Sequence, residues 1–347
     1  MMDLQDRVVV ITGASSGLGR AAALQFAKQR SRLVLCARRA DALQDIARQC
    51  RELGARAVTY EADVSHEEQV QALAQEALKQ TGQLDIWVNN AGITCFAPLD
   101  SERFDDHRQV LETNLFGAIY GARAVLPIFR RQGYGTMINV GSVLSKVGQP
   151  FVPSYVISKF GLQGLTETLR ASFADMPHVH ISSLLPYAMD TEHFESGANE
   201  LGWGAHPLSP VQSPEKVAKA LVALARSGGR QRMVPRIAGL GLALHFFLPR
   251  ITEHLVLDIL RKWHFDDEAV SRTAGNVYTP LGDAGAVHGK RSVLVTTPRL
   301  LWYVTGRLLS IPIELALKRR RAPVPRSDAD IAGATRRVAL RAGHAEA

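Results

Sequence analysis

The chain has 347 residues, 46% of them hydrophobic, and a formal net charge of +8; that is ample for a core and fits a domain of about 250 residues with an extension. Met1 to Pro235 holds 24 basic and 23 acidic side chains, whereas Arg236 to Ala347 holds 17 and 10. The excess charge therefore sits in the tail, which excludes a globally basic nucleic-acid binder.

The opening residues carry Asp3 and Asp6 and run straight into a strand pattern, so no signal peptide is expected. Short buried strands are predicted at Arg7–Thr12, Arg32–Ala37, Arg56–Glu61, Leu84–Asn90, Gly135–Val140, Val179–Leu185 and Gln231–Pro235. Between them, stretches such as 40–53 and 66–80 place apolar residues three and four apart, the helical period. This alternation predicts an α/β fold with a Rossmann-type, doubly wound parallel sheet of about seven strands. Ligands of such sheets gather outside the carboxyl ends of the strands. Cys36, Cys50 and Cys95 give neither a disulfide framework nor metal-ligand spacing, which points to free buried thiols in a reducing, cytoplasmic setting.

Directly after the first predicted strand, Gly13, Gly17 and Gly19 form G-x-x-x-G-x-G ahead of a helical pattern. Glycines there allow a tight turn and close approach of the backbone to a pyrophosphate at the helix N-terminus. In its strand-before, helix-after context the motif signals a dinucleotide. At the end of the second strand, where NAD enzymes present an acid to the ribose, stand Ala37, Arg38 and Arg39. Two guanidiniums without a carboxylate favour a 2′-phosphate, hence NADP(H) over NAD(H).

Tyr155 and Lys159 stand four apart, on one face of a helix. With seven Tyr in the chain, such a pair arises by chance about 0.2 times per sequence of this composition, so alone it means little. Its chemical interest is that a phenol ionises near pH ~10 and a neighbouring ammonium favours the phenolate.

After Pro235 the pattern changes. Ile237–Leu248 is a continuous apolar run too short to span a bilayer. Leu300–Leu317 is interrupted by Arg307, Pro312 and Glu314 and closes on the basic run Lys318–Arg321. Either stretch is an interfacial helix with a basic edge or the helix packing of a C-terminal cap. His245, His254 and His264 have no partners at ligand spacing, so no metal site is expected. The expected organisation is a catalytic domain over 1–235, a mainly helical extension over 236–322 that lies on a membrane surface or caps the substrate, and a disordered tail over 323–347.

Taken in order, the motifs from Gln5 to Pro235 resemble the short-chain dehydrogenase/reductase family. The stretch TGASSGLG, with Gly13, Ser15, Ser16, Gly17, Leu18 and Gly19, is similar to its cofactor loop. Asp63 and Val64 match its adenine site, and Asn90, Ala91 and Gly92 its fourth-strand motif. Asn114, Ser142, Tyr155 and Lys159 fall in the order of its catalytic tetrad. The resemblance implies that Tyr155 is the general acid/base and that Lys159 lowers its pKa and binds the nicotinamide ribose. It implies that Ser142 hydrogen-bonds the reacting oxygen and that Asn114 holds a water linking Lys159 to solvent. Pro186 and Thr191 are implied to reach the cofactor, although Tyr187 stands where the family usually has Gly and would reshape the pocket.

The loops 93–104, 143–153 and 187–207 are apolar and lack an arginine clamp, which suits a ketone or secondary alcohol on a fairly apolar body. The expectation is an NADP(H)-dependent oxidoreductase acting on a small-molecule carbonyl or alcohol, with no nucleic-acid partner. The family resemblance implies a homo-dimer or homo-tetramer, and the extension leaves contact with a membrane surface open. The alternative is a catalytically silent NADP(H)-binding sensor or scaffold.

Overall fold

The computed structural model describes residues 2–282, 285–291 and 293–320. The chain begins with β1 (Val8–Thr12), α1 (Gly17–Ala27), β2 (Arg32–Ala37), α2 (Ala40–Glu52), β3 (Arg56–Glu61), α3 (Glu67–Thr81) and β4 (Ile86–Asn89). A two-residue strand, β5 (Cys95–Phe96), leads to α4 (Phe104–Leu111), a π-helical turn (Glu112–Phe116) and α5 (Gly117–Gln132). Then come β6 (Gly135–Val140), α6 (Pro153–Ser172), β7 (Val179–Pro186), the short α7 (His193–Ser196), β8 (Ala198–Asn199), β9 (Trp203–Ala205), α8 (Pro214–Ser227) and β10 (Gln231–Val234).

Seven of these strands make one sheet in the order β10-β7-β6-β4-β1-β2-β3, with every pairing parallel. They are the seven strands expected from the sequence. Strands buried on both faces need apolar residues at successive positions, and β1 has all five of its residues buried. One face packs on α1 and α8 through Ala22, Phe26 and Leu221. The other packs on α3 and α5 through Leu73, Val125 and Phe129. The strand order reverses between β1 and β4, which opens a crevice at their carboxyl ends.

A buried polar relay fixes α6 to this sheet. Trp87 Nε1 donates to Asn89 Oδ1 at 2.6 Å, and Asn89 Nδ2 donates to Asn139 Oδ1 at 2.8 Å. Asn139 Nδ2 in turn donates to Thr166 Oγ1 at 2.8 Å, and that hydroxyl donates to the Leu162 carbonyl at 2.7 Å. β4, β6 and α6 are thereby held in one relative setting.

The C-terminal region is mainly helical, as expected, with α9 (Ala238–Phe247), α10 (Pro249–Trp263) and α11 (Thr297–Arg320). It also contains a strand that the sequence did not announce, β11 (Phe265–Ala269), which pairs antiparallel with β9. α9 buries none of its side chains. No described helix is long and apolar enough to cross a membrane. The described chain divides into compact units between Tyr303 and Val304, and within the second Arg307 pairs with Glu314 at 2.6 Å. The tail expected over 323–347 and the side chains of the run Lys318–Arg321 lie outside the described residues.

Removing the middle of the relay tests its weight. Asn139→Ala removes the partner of the Asn89 amide, which keeps only a long bond to the Ala118 carbonyl at 3.4 Å, and of the Thr166 hydroxyl, which still donates to Leu162; it should cost about 1–3 kcal/mol of stability. Urea unfolding followed by circular dichroism measures this.

Candidate cofactor and catalytic site

The turn after β1 is laced to the loop after β4. Thr12 Oγ1 accepts from the Asn90 and Ala91 amides at 3.0 and 3.2 Å, and Asn90 Nδ2 donates to the Thr12 carbonyl at 2.9 Å. Gly13 and Gly17 take φ of +64° and +50°, a region that favours glycine. A methyl group on Gly13 would lie 2.8 Å from Ala91 Cα, and one on Gly19 would overlap the Gly13 carbonyl. Ser16 stands at the N-cap position of α1 without a side-chain capping bond, while Ser15 and Leu18 are buried. Thr191 is also buried and borders the turn: a methyl on Gly17 would be 3.3 Å from its Cγ2.

The ends of β2 and β3 meet at the same edge of the sheet. Arg38 Nη1 lies 3.6 Å from Asp63 Oδ2, while Asp63 Oδ1 accepts from the Ser65 amide and hydroxyl at 2.9 and 2.8 Å. Val64 is buried against Gly117. Arg39 Nη2 is 3.3 Å from Glu192 Oε2. The residues expected to bind a dinucleotide thus form one rim along the carboxyl ends of β1, β2, β3 and β4.

Across the crevice the four tetrad positions converge. Gly92 brings the rim to them, since a methyl there would be 3.4 Å from Asn114 Oδ1 and 3.7 Å from Lys159 Nζ. Asn114 sits in the π-helical turn, an irregularity that recurs where helices serve sites. Its Oδ1 accepts from the Ile93 amide at 2.8 Å, and its Nδ2 donates to the Ile93 carbonyl at 2.9 Å and to Ser158 Oγ at 3.1 Å. Ser142 caps a short 3-10 turn, accepts from the Leu144 amide at 3.1 Å and hydrogen-bonds Tyr155. Lys159 is buried, donates to the Val140 carbonyl at 2.9 Å and holds its Nζ 5.4 Å from the centre of the Tyr155 ring.

Burial dominates the titration of this cluster. It pushes Tyr155 up to about 12, with the Ser142 hydrogen bond opposing the rise, and draws Lys159 down to about 8. The family resemblance implied that Lys159 lowers the phenol pKa. In this structure the ammonium is bonded to the Val140 carbonyl and lies 5.4 Å from the ring centre, and burial sets the direction of the phenol's shift.

Two features escaped the sequence. His193, at the start of α7, packs edge-on against Tyr155 with ring centres 5.4 Å apart. Burial, helped by the Lys159 charge, lowers it to about 4, so it is neutral at physiological pH. Its only sequence signal was membership of the loop 187–207. An aromatic wall continues from it through Phe194 and Phe96, and His264 and Phe265 join that wall from the C-terminal region. Tyr187 donates its amide to the Val234 carbonyl at 2.9 Å just past Pro186, the end of β7, and burial pushes its phenol up to about 12.

A doubly wound parallel sheet with a glycine turn at its switch point and a Ser-Tyr-Lys cluster opposite defines a Rossmann-fold oxidoreductase. Residues 7–201 match the model of the short chain dehydrogenase family, and the chain belongs to that family. It is 33% identical over 260 residues to the uncharacterized oxidoreductase YxnA of Bacillus subtilis, covering 74% of this chain and 73% of that one. It is 35% identical over 230 residues to 3beta-hydroxysteroid dehydrogenase 1 of Eggerthella lenta, covering 64% of this chain and 88% of the relative. Among solved structures, an alcohol dehydrogenase from the archaeon Thermococcus sibiricus, complexed with 5-hydroxy-NADP, superposes with a TM-score of 0.58 at 29% identity, covering 65% of this chain and 95% of the other.

Proposed function

We propose that the protein is an NADP(H)-dependent oxidoreductase that interconverts a carbonyl and a secondary alcohol on a fairly apolar body. The observation that carries this is the cluster itself: a tyrosine hydrogen-bonded to Ser142, with Lys159 over its ring, facing a glycine turn that any side chain would fill. Gly13, Ser15, Ser16, Gly17, Leu18 and Gly19 would hold the pyrophosphate, and Asp63, Val64, Asn90, Ala91 and Gly92 the adenosine side and the ribose bridge. Pro186 and Thr191 would border the nicotinamide. A bound nicotinamide supplies or accepts the hydride.

The protein's own part is to position and polarise. Tyr155, with its pKa near 12, keeps its proton at neutral pH and gives it to the carbonyl oxygen during reduction. Ser142 hydrogen-bonds the same oxygen. Lys159 holds positive charge beneath the phenol as it ionises, and water-poor surroundings strengthen that interaction. Asn114, committed to Ile93 and Ser158, braces the loop carrying Gly92 against the helix carrying Lys159.

Arg38 and Arg39 support NADP(H), as does the ligand of the archaeal alcohol dehydrogenase. The apolar substrate is supported by the wall of Phe96, Phe194 and Phe265 and by the similarity to a hydroxysteroid dehydrogenase. The three free thiols, all buried, suit a reducing compartment. We infer in addition that α9 rests on an anionic lipid surface. Leu240, Phe246 and Phe247 are 70%, 78% and 76% exposed, and Arg236 and Arg250 stand exposed at either end of the helix.

Tyr155→Phe should lower kcat by about 10²–10⁴ in an NADPH-oxidation assay over ketones graded in size, while NADPH still binds. Substantial residual turnover would remove Tyr155 from the chemistry. Arg38→Asp should worsen the NADPH-to-NADH ratio of KM by about tenfold or more; an equal change for both cofactors would refute a 2′-phosphate role. In flotation with anionic vesicles, the double variant Phe246→Asp and Phe247→Asp should bind about tenfold less than the wild type, and equal flotation would detach α9 from the lipid.

A further inference from the structure

The crevice that would take the dinucleotide is lined on its open side by the protein's own chain. Arg38 Nη2 donates to the Asn276 carbonyl at 2.7 Å, and Nη1 reaches the Tyr278 and Val277 carbonyls at 3.1 and 3.4 Å. Arg39 Nη1 donates to the Leu281 carbonyl at 3.1 Å. Gly17, whose amide opens α1, donates to the Ala286 carbonyl at 2.7 Å. These are the donors that the 2′-phosphate and the pyrophosphate need, and in each case a main-chain carbonyl oxygen stands in for a phosphate oxygen.

The segment is fastened along its length. Val277 is fully buried with Ile93, Val110 and Ala198, which anchors one end. Ala286 donates its amide to Glu192 at 2.9 Å, and the amides of Lys290 and Arg291 both donate to Glu195. His288 is bonded to Asp190 at 2.7 Å and to Glu215 at 2.8 Å. Gly285 is pressed so closely on Ser15 that a methyl group would overlap its carbonyl oxygen, and one on Gly289 would lie 2.5 Å from the Thr191 carbonyl oxygen.

We propose that residues 276–281 and 285–291 form a strap that occupies the cofactor groove of its own chain and must leave before a dinucleotide can enter. This rests on the reading of the groove as an NADP(H) site. A lid would close over a bound cofactor and keep its donors free; this segment consumes the same donors, so the two are mutually exclusive. The holding contacts suit a displaceable element. The His288 pairs are half exposed, a setting in which an ion pair contributes little. A strap seated about 90% of the time raises the apparent Kd of any nicotinamide dinucleotide about tenfold.

The test is direct binding to the full chain, read by NADPH and NADH fluorescence titration, together with amide hydrogen exchange. Gly285→Val pushes the strap off Ser15 without altering a proposed cofactor contact, and should lower the Kd for both dinucleotides by about tenfold. His288→Ala, which keeps the backbone unchanged, should lower both by about threefold. Saturating NADPH should speed exchange at the amides of Ala286 and Arg291 in the wild type. Unchanged Kd values in both variants, or slower exchange at those amides with NADPH, would overturn the strap while leaving the NADP(H) reading intact. Absence of binding by either dinucleotide in wild type and variants alike would overturn that reading and the strap with it.

Discussion

The site depends on a single constraint, the amide relay that runs from Trp87 through Asn89 and Asn139 to Thr166. Buried hydrogen bonds are directional and costly to leave unmade, so this chain of donors allows β4, β6 and α6 one mutual placement. β4 runs into the Asn90–Gly92 corner, β6 into Ser142, and α6 carries Tyr155 and Lys159. The convergence of residues from three distant stretches is therefore a property of the sheet, and no flexible loop has to supply it. Asn114 adds a second fastening from the π-helical turn, through Ile93 on one side and Ser158 on the other.

Electrostatics follow from that packing. The apolar wall moves each nearby titratable group toward its neutral form, with the Tyr155 phenol raised and the Lys159 ammonium and His193 imidazole lowered. Such a site has little solvent to screen a charge that develops within it, so small displacements of Lys159 relative to the phenol carry large energetic weight. The bond from Lys159 to the Val140 carbonyl sets that distance.

The inner strands β1, β2 and β4 were legible because strands buried on both faces are written as apolar runs, whereas the edge strands β3 and β10, with one buried residue each, were legible from their place in the alternation. The glycine turn was legible because Gly13 and Gly17 occupy conformations that side chains resist. Helices α2 and α3 declared themselves through their period. By contrast, β11 has the sequence FDDEA, with neither alternation nor an apolar run, and becomes a strand through its register on Trp203–Ala205. His193 is one residue in the loop 187–207 and gave no period to detect. Arg38 and Arg39 were read as favouring a 2′-phosphate, but the carbonyls that meet them in the structure lie some 240 positions further on, a separation that local pattern does not encode.

β11 has a consequence beyond its few hydrogen bonds. By pairing with β9 it brings His264 and Phe265 into the aromatic wall that also holds Tyr155, although both lie past the stretch 7–201 that matches the family. On the proposed reading, the residues for proton transfer lie in one part of the chain, while part of the wall beside them comes from another. On that reading, substitutions in the later stretch would reshape the wall while leaving Ser142, Tyr155 and Lys159 in place.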